Sequence, residues 1–413
     1  MAIFSSLASF FRRHKRKLII TTTLTVSAYF VINHFIFKKL RDFQKSLKQE
    51  LFIKEQIKRR FIQTQNDCHS TVLSLLPVLT QPITDYLPIE SITNALKLRK
   101  SNSNNNQEMS DSLLTANNLL LHSNENMNNE TSYINKSKVE LWNDLKIKTL
   151  TRTLTLIHSI SGLLLLTRLQ LNILARRSYL ELAIVMAGGK VEASNDQYND
   201  YLIEQAYLSL SWWLLNNGWI KLSDNIESLI IKKFENLNAK SQLSISQFEL
   251  ILNEINQEVL NSNILGLLFP LNYDHLIETL LNTNPQLVNE LDDSNSNLLK
   301  LINETNLLIS NDFFQEIYSK LISSSTNTLI SNLFFNLDHD SFVLHQQNQV
   351  TNDKKFKLAN FLAQLSIQCG IICDNNHFAQ YDHHELTGNI YINTLNDLDD
   401  LEEFSASIYS NFE

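Results

Sequence analysis

From Val139 to Ala187 the chain contains no proline and one glycine, Gly162, until Gly188-Gly189 interrupts it. With no residue to break a hydrogen-bonded turn before that pair, the stretch reads as one very long helix. Its middle, Leu154 to Leu166, is strongly apolar, so its neighbours must bury it. Arg152, His158, Arg168, Gln170 and Asn172 interrupt or flank the run. Polar groups of that size suit a core helix with hydrogen-bonding neighbours better than a membrane span. Only 7 Gly and 5 Pro occur in 413 residues, which leaves few tight turns and excludes an all-β fold. The expected class is all-α: a large helical bundle with long helices, preceded by one N-terminal transmembrane helix.

That span is expected at 18–37, where Leu18 to Phe37 form an apolar run of about twenty residues, enough to cross ~30 Å of hydrocarbon. Arg12, Arg13, Lys15, Arg16 and Lys17 precede it, and Lys38, Lys39 and Arg41 follow, placing cations at both headgroup levels. Cleavage as a signal peptide is disfavoured, because the small residues Val26-Ser27-Ala28 lie inside the run, ahead of Phe30 to Phe37. Residues 1–60 carry fourteen Lys or Arg against three acids, although the whole chain has a net charge of −8. A basic arm beside an apolar run suits anionic lipid, and no nucleic-acid motif is present. The three cysteines, Cys68, Cys369 and Cys373, are too few for a disulfide framework and suit a reducing compartment. The expected organisation is a basic segment at 1–17, the span, and a cytosolic helical domain over 38–413.

Within that domain Leu40, Phe43, Leu47, Leu51, Ile57 and Phe61 recur at helical spacing among lysines and arginines. Pro77, Pro82 and Pro88 predict short helices or turns before a helix over Glu90 to Lys100. Residues 101–136 are about one-third Asn and lack apolar periodicity, the composition of a disordered insertion. Further stripes follow: Leu222, Ile226, Leu229, Ile230, Phe234 and Leu237, then Phe248, Ile251, Leu252, Ile255 and Val259, then Leu358, Phe361, Leu362, Leu365 and Cys369. Ser246 and Glu249 have capping-box spacing at the start of the second stripe.

Signals for chemistry are weak. Gly188-Gly189-Lys190 lacks the first glycine and the Ser or Thr of a phosphate loop. Cys369, Cys373 and His377 have i, i+4, i+8 spacing without a fourth ligand, and Asp338-His339-Asp340 and Asp382-His383-His384-Glu385 match no metalloenzyme pattern. No catalytic residue, metal site or cofactor is expected.

More informative is Lys138-Val139-Glu140-Leu141-Trp142-Asn143-Asp144-Leu145-Lys146, which opens the long helix directly after the insertion. Trp142 is either a core tryptophan between helices or an exposed anchor for an amphipathic helix, with lysines at the rim.

These stretches resemble the peroxin-3 family of peroxisomal biogenesis factors. The resemblance rests on Arg12-Arg13-His14-Lys15-Arg16-Lys17, Glu90-Ser91-Ile92-Thr93, Glu140 to Ile147 followed by Thr151-Arg152-Thr153, and Arg168 to Leu174. It covers residues 1 to about 190, and the remainder only in helical character. It implies a single-pass peroxisomal membrane protein, able to pass through the endoplasmic reticulum, with its bulk in the cytosol and no enzymatic activity. Its basic patch would serve targeting, and its bundle would dock an amphipathic helix of the import receptor peroxin-19 carrying new membrane proteins. The implied groove has Trp142 as anchor, helped by Leu145 and Lys146, with Lys138 at the helix start and Thr93, Leu96 and Lys97 facing it. Family members also tether peroxisome inheritance factors and selective-degradation receptors. The insertion separates the two groove segments and departs from the shorter family pattern.

Overall fold

The computed structural model describes Tyr29, 37–104, Tyr133, 136–186, 197–262, 264–338, 354–375, 379–381, 384–386 and 388–411. The apolar run 18–37, except Tyr29 and Phe37, lies outside these residues, as do Arg12, Arg13, Lys15, Arg16, Lys17, Gly188-Gly189 and most of the insertion. The chain divides into two compact units, Met1–Gln63 and Thr64–Glu413. In the first, the described residues are helical, with exposed Phe43, Leu47 and Leu51 at helical spacing and exposed Lys45, Lys48, Lys54 and Lys58.

The second unit is an all-α bundle around one helix. In chain order the main helices are α1 (Phe37–Tyr86), of which residues 64–86 belong to this unit, α2 (Ile89–Asn104), α3 (Lys138–Met186), α4 (Gln197–Leu208), α5 (Trp219–Lys233) and α6 (Ile245–Leu260). They continue with α7 (Ile264–Leu268), α8 (Tyr273–Thr283), α9 (Asn297–Ile309), α10 (Asp312–Leu337), α11 (Leu358–Cys373), α12 (Ile390–Asn396) and α13 (Asp399–Tyr409). Two short antiparallel pairs interrupt the helices. Strands β1 (Gln242–Ser244) and β2 (Lys355–Lys357) pair with Leu243 opposite Phe356, and β3 (Ala379–Tyr381) pairs with β4 (His384–Leu386).

α3 is the predicted long helix, and every residue from Thr151 to Gln170 is buried. By length and apolar character it would pass as a membrane span, yet 94% of its most apolar window lies inside the body, the position of a core helix. The polar residues that interrupt its sequence are hydrogen-bonded to side chains and carbonyls from several surrounding elements. Arg152 Nη1 donates to both Glu90 carboxylate oxygens at 2.9 Å, and Gln170 Nε2 donates to the Tyr207 carbonyl at 2.6 Å. Arg168 donates to Gln65 Oε1 and Asn396 Oδ1, while Gln65 Nε2 donates to Asn172 Oδ1 at 2.9 Å. Along α1, Gln65 lies beside Asn172, Cys68 beside Thr167 and Tyr86 beside Lys148, so α1 runs antiparallel to α3.

Two sequence expectations shift. α1 is not broken at Pro77 and Pro82 but passes through both. Pro77 has no N–H to offer the Leu73 carbonyl, and Asn375 Nδ2 supplies the missing donor at 2.9 Å. The capping box of α6 is formed by Ser244 and Gln247, two residues ahead of the predicted pair, because the β1–β2 pairing holds Ser244 extended at the helix start. The apolar stripes hold: Leu222, Ile226, Ile230, Phe248, Leu252, Ile255, Val259, Phe361, Leu365 and Cys369 are all buried.

His158 sits at the centre of the bundle. Asn256 Nδ2 donates to Thr326 Oγ1 at 3.0 Å, which leaves Asn256 Oδ1 to accept from His158 Nε2 at 3.2 Å. Nδ1 faces the Tyr318 hydroxyl at 3.1 Å. Burial pushes the imidazole pKa down from 6.5 to about 4. The unfolded chain therefore takes up this proton more readily than the folded one. The neutral ring contributes its full stability above pH 6.5, and that contribution falls away as the pH drops toward 4. Urea unfolding across this window should show a loss on the order of 3 kcal/mol from this group, and His158→Gln should flatten that part of the profile.

Candidate functional site

Apart from the main core, the described residues form a second apolar cluster where α2 meets the first turns of α3. Ile89, Ile92, Ala95 and Leu96 recur on one face of α2 and pack against Leu141 and Leu145 of α3. Trp142 and Tyr133 are half-buried and lie against this cluster.

The start of α3 is fixed by local chemistry. The Ser137 N–H donates to Glu140 Oε2 at 2.6 Å, and the Glu140 N–H donates to Ser137 Oγ at 3.2 Å, a reciprocal capping box. Those bonds hold the Glu140 carboxyl below the usual carboxylate range. Lys136 donates to Asp144 Oδ2 at 2.7 Å and stands over the Tyr133 ring, 5.1 Å from its centroid. Two turns beyond Leu145, the Arg152–Glu90 pair clamps the start of α2 to α3, with Arg152 only 5% exposed.

Leu96, Trp142 and Leu145 meet at this junction, and Thr93 lies on the same helix as Leu96. Leu96 and Leu145 are buried in the cluster, while Thr93 returns its hydroxyl to the Ile89 carbonyl at 2.9 Å. Lys97 and Lys138 are exposed. Lys146 departs from the expected arrangement. It is buried, and its ammonium donates to the carbonyls of Phe234 at 2.7 Å and Leu237 at 2.8 Å. It therefore closes the C-terminal end of α5, where free carbonyls attract a cation, and is not a rim lysine. Burial pushes its pKa down.

No group of three or more His, Cys, Asp or Glu able to hold a metal occurs among the described residues. Cys369 is buried beside Thr153, and burial raises its thiol pKa to about 11, far from a reactive thiolate. His377 lies outside the described residues, as do His339, Asp340, Asp382 and His383. The α2–α3 junction offers apolar contact and nearby cations, which suits recognition of another chain.

A family model described as Peroxin-3 matches residues 9–411. The chain belongs to the peroxin-3 family. It is 60% identical to peroxisomal biogenesis factor 3 of Debaryomyces hansenii over the full length of both chains. It is 28% identical to peroxisomal biogenesis factor 3 of Saccharomyces cerevisiae, over 98% of this chain and 96% of the other. It is also 40% identical to the peroxisomal membrane protein PEX3 of Komagataella phaffii, over 62% of this chain and 60% of that one. Family membership gives the chain a role in peroxisome biogenesis at the membrane. The match also extends the likeness past residue 190, where the sequence alone gave only helical character.

Sequence reasoning missed Ile89, Ile92, Ala95, Leu141 and Tyr133. The first four carried a signal, since 89, 92, 95 and 96 and then 141 and 145 have helical spacing. Tyr133 carried none, because it lies within an Asn-rich stretch. Lys146→Met should leave two carbonyls without their charged donor and lower stability by about 2 kcal/mol in denaturant titrations. Trp142→Ala, at a half-exposed position, should cost clearly less in the same titration.

Proposed function

We propose that the α2–α3 junction is the docking surface for an amphipathic helix of the import receptor peroxin-19, delivering peroxisomal membrane proteins for insertion. The observation that carries this reading is a half-exposed indole resting on an apolar cluster separate from the main core. Trp142 supplies a large rigid contact, Leu96 and Leu145 form the floor beneath it, and Lys97 and Lys138 add positive charge for an acidic partner.

In this reading the 18–37 run is the single span and residues 38–413 lie in the cytosol. The cationic residues before and after the run would lie against lipid headgroups.

Replacing Trp142 by Ala should weaken binding of the peroxin-19 N-terminal helix by about 2 kcal/mol, some thirtyfold, while circular dichroism stays unchanged. An unchanged affinity by calorimetry would exclude this surface. Reversing the charge of Lys97 and Lys138 together should slow association and reduce its dependence on salt, and stopped-flow mixing with the same peptide would measure both.

A further inference from the structure

Tyr133 bears on how open the docking surface is. Its ring packs against the Ile89, Ile92, Ala95, Leu96, Leu141 and Leu145 cluster, the same apolar surface that Trp142 borders. Tyr133 is not part of α3, which begins at Lys138; it is the described residue immediately N-terminal to Lys136. Lys136 holds it there in two ways. Its backbone N–H donates to the Tyr133 carbonyl at 3.4 Å, and its ammonium stands 5.1 Å from the ring centroid, within cation–π range. The ammonium is itself fixed by Asp144 Oδ2 at 2.7 Å, on the helix that carries Trp142. The aromatic ring is thus clamped on the cluster by a lysine anchored to the docking helix.

We propose that Tyr133 is a built-in occupant of this surface, an autoinhibitory contact that an incoming amphipathic helix must displace. This rests on the docking reading of the α2–α3 junction. A ring tethered nine residues from Trp142 competes intramolecularly, without the translational cost that a free ligand meets. The observed affinity is then the intrinsic one multiplied by the fraction of time the surface is clear. Displacement does not require the fold to open, because the capping box at Ser137 and Glu140 lies between the ring and the body of α3.

The test uses the full chain in detergent and the peroxin-19 N-terminal helix as a synthetic peptide. Tyr133→Ala should bind it about three- to tenfold more tightly, with the gain in association rate and the dissociation rate unchanged. Lys136→Gln, which keeps the ring but removes its clamp, should give a smaller gain of the same kind. Unchanged binding by Tyr133→Ala, or weaker binding through faster dissociation, overturns the proposal; the latter makes Tyr133 a contact of the partner. Trp142→Ala in the same series separates the two readings. If it weakens binding while Tyr133→Ala does not strengthen it, only the autoinhibitory contact fails; if neither variant changes binding, the docking surface itself is wrong.

Discussion

Burying a long helix on every side is the constraint from which this architecture follows. Twenty consecutive residues of α3, Thr151 to Gln170, are shielded from water, so each long polar side chain among them must find its partner inside the protein. The partners are distributed around the bundle: Glu90 for Arg152, Asn256 and Tyr318 for His158, Gln65 and Asn396 for Arg168, and the Tyr207 carbonyl for Gln170. Apolar packing supplies the bulk of the driving force without fixing direction. The hydrogen bonds set which neighbour lies at which height, because a helix slid by one turn would leave several buried groups unpaired.

The candidate site arises where this enclosure ends. Residues 151–170 are surrounded, but the first turns of α3 are covered mainly by α2, so Leu141 and Leu145 are buried while Trp142 between them is only half covered. Lys146 marks the boundary. It points inward to the Phe234 and Leu237 carbonyls, and the residues that follow it turn steadily more enclosed.

Much of this was legible in the residues. The length of α3, its core position and the stripes of α5, α6 and α11 followed from periodicity and from the scarcity of Pro and Gly. The exceptions have a common cause: distant residues decided them. Pro77 reads as a helix break until Asn375 is seen to bond the Leu73 carbonyl. Ser246 reads as a cap until β2, more than a hundred residues on, is seen to pair with β1. Lys146 has the spacing of a rim residue, and only the end of α5 shows that its charge is already satisfied. Trp142 could not be assigned to core or surface from its own neighbourhood, since its exposure depends on how far α2 reaches.

The pairing of Leu73 with Asn375, and of Arg168 with Asn396, also has a consequence for biosynthesis. Both bonds join the first half of the chain to its last fifth, so on the ribosome the central helix emerges long before the segments that finish its coat. During that interval a stretch apolar enough to enter a bilayer stands incompletely shielded. Newly made chains therefore need either rapid completion or a holding factor, and truncations that remove the final helices should expose a sticky core where a merely shorter body might have been anticipated.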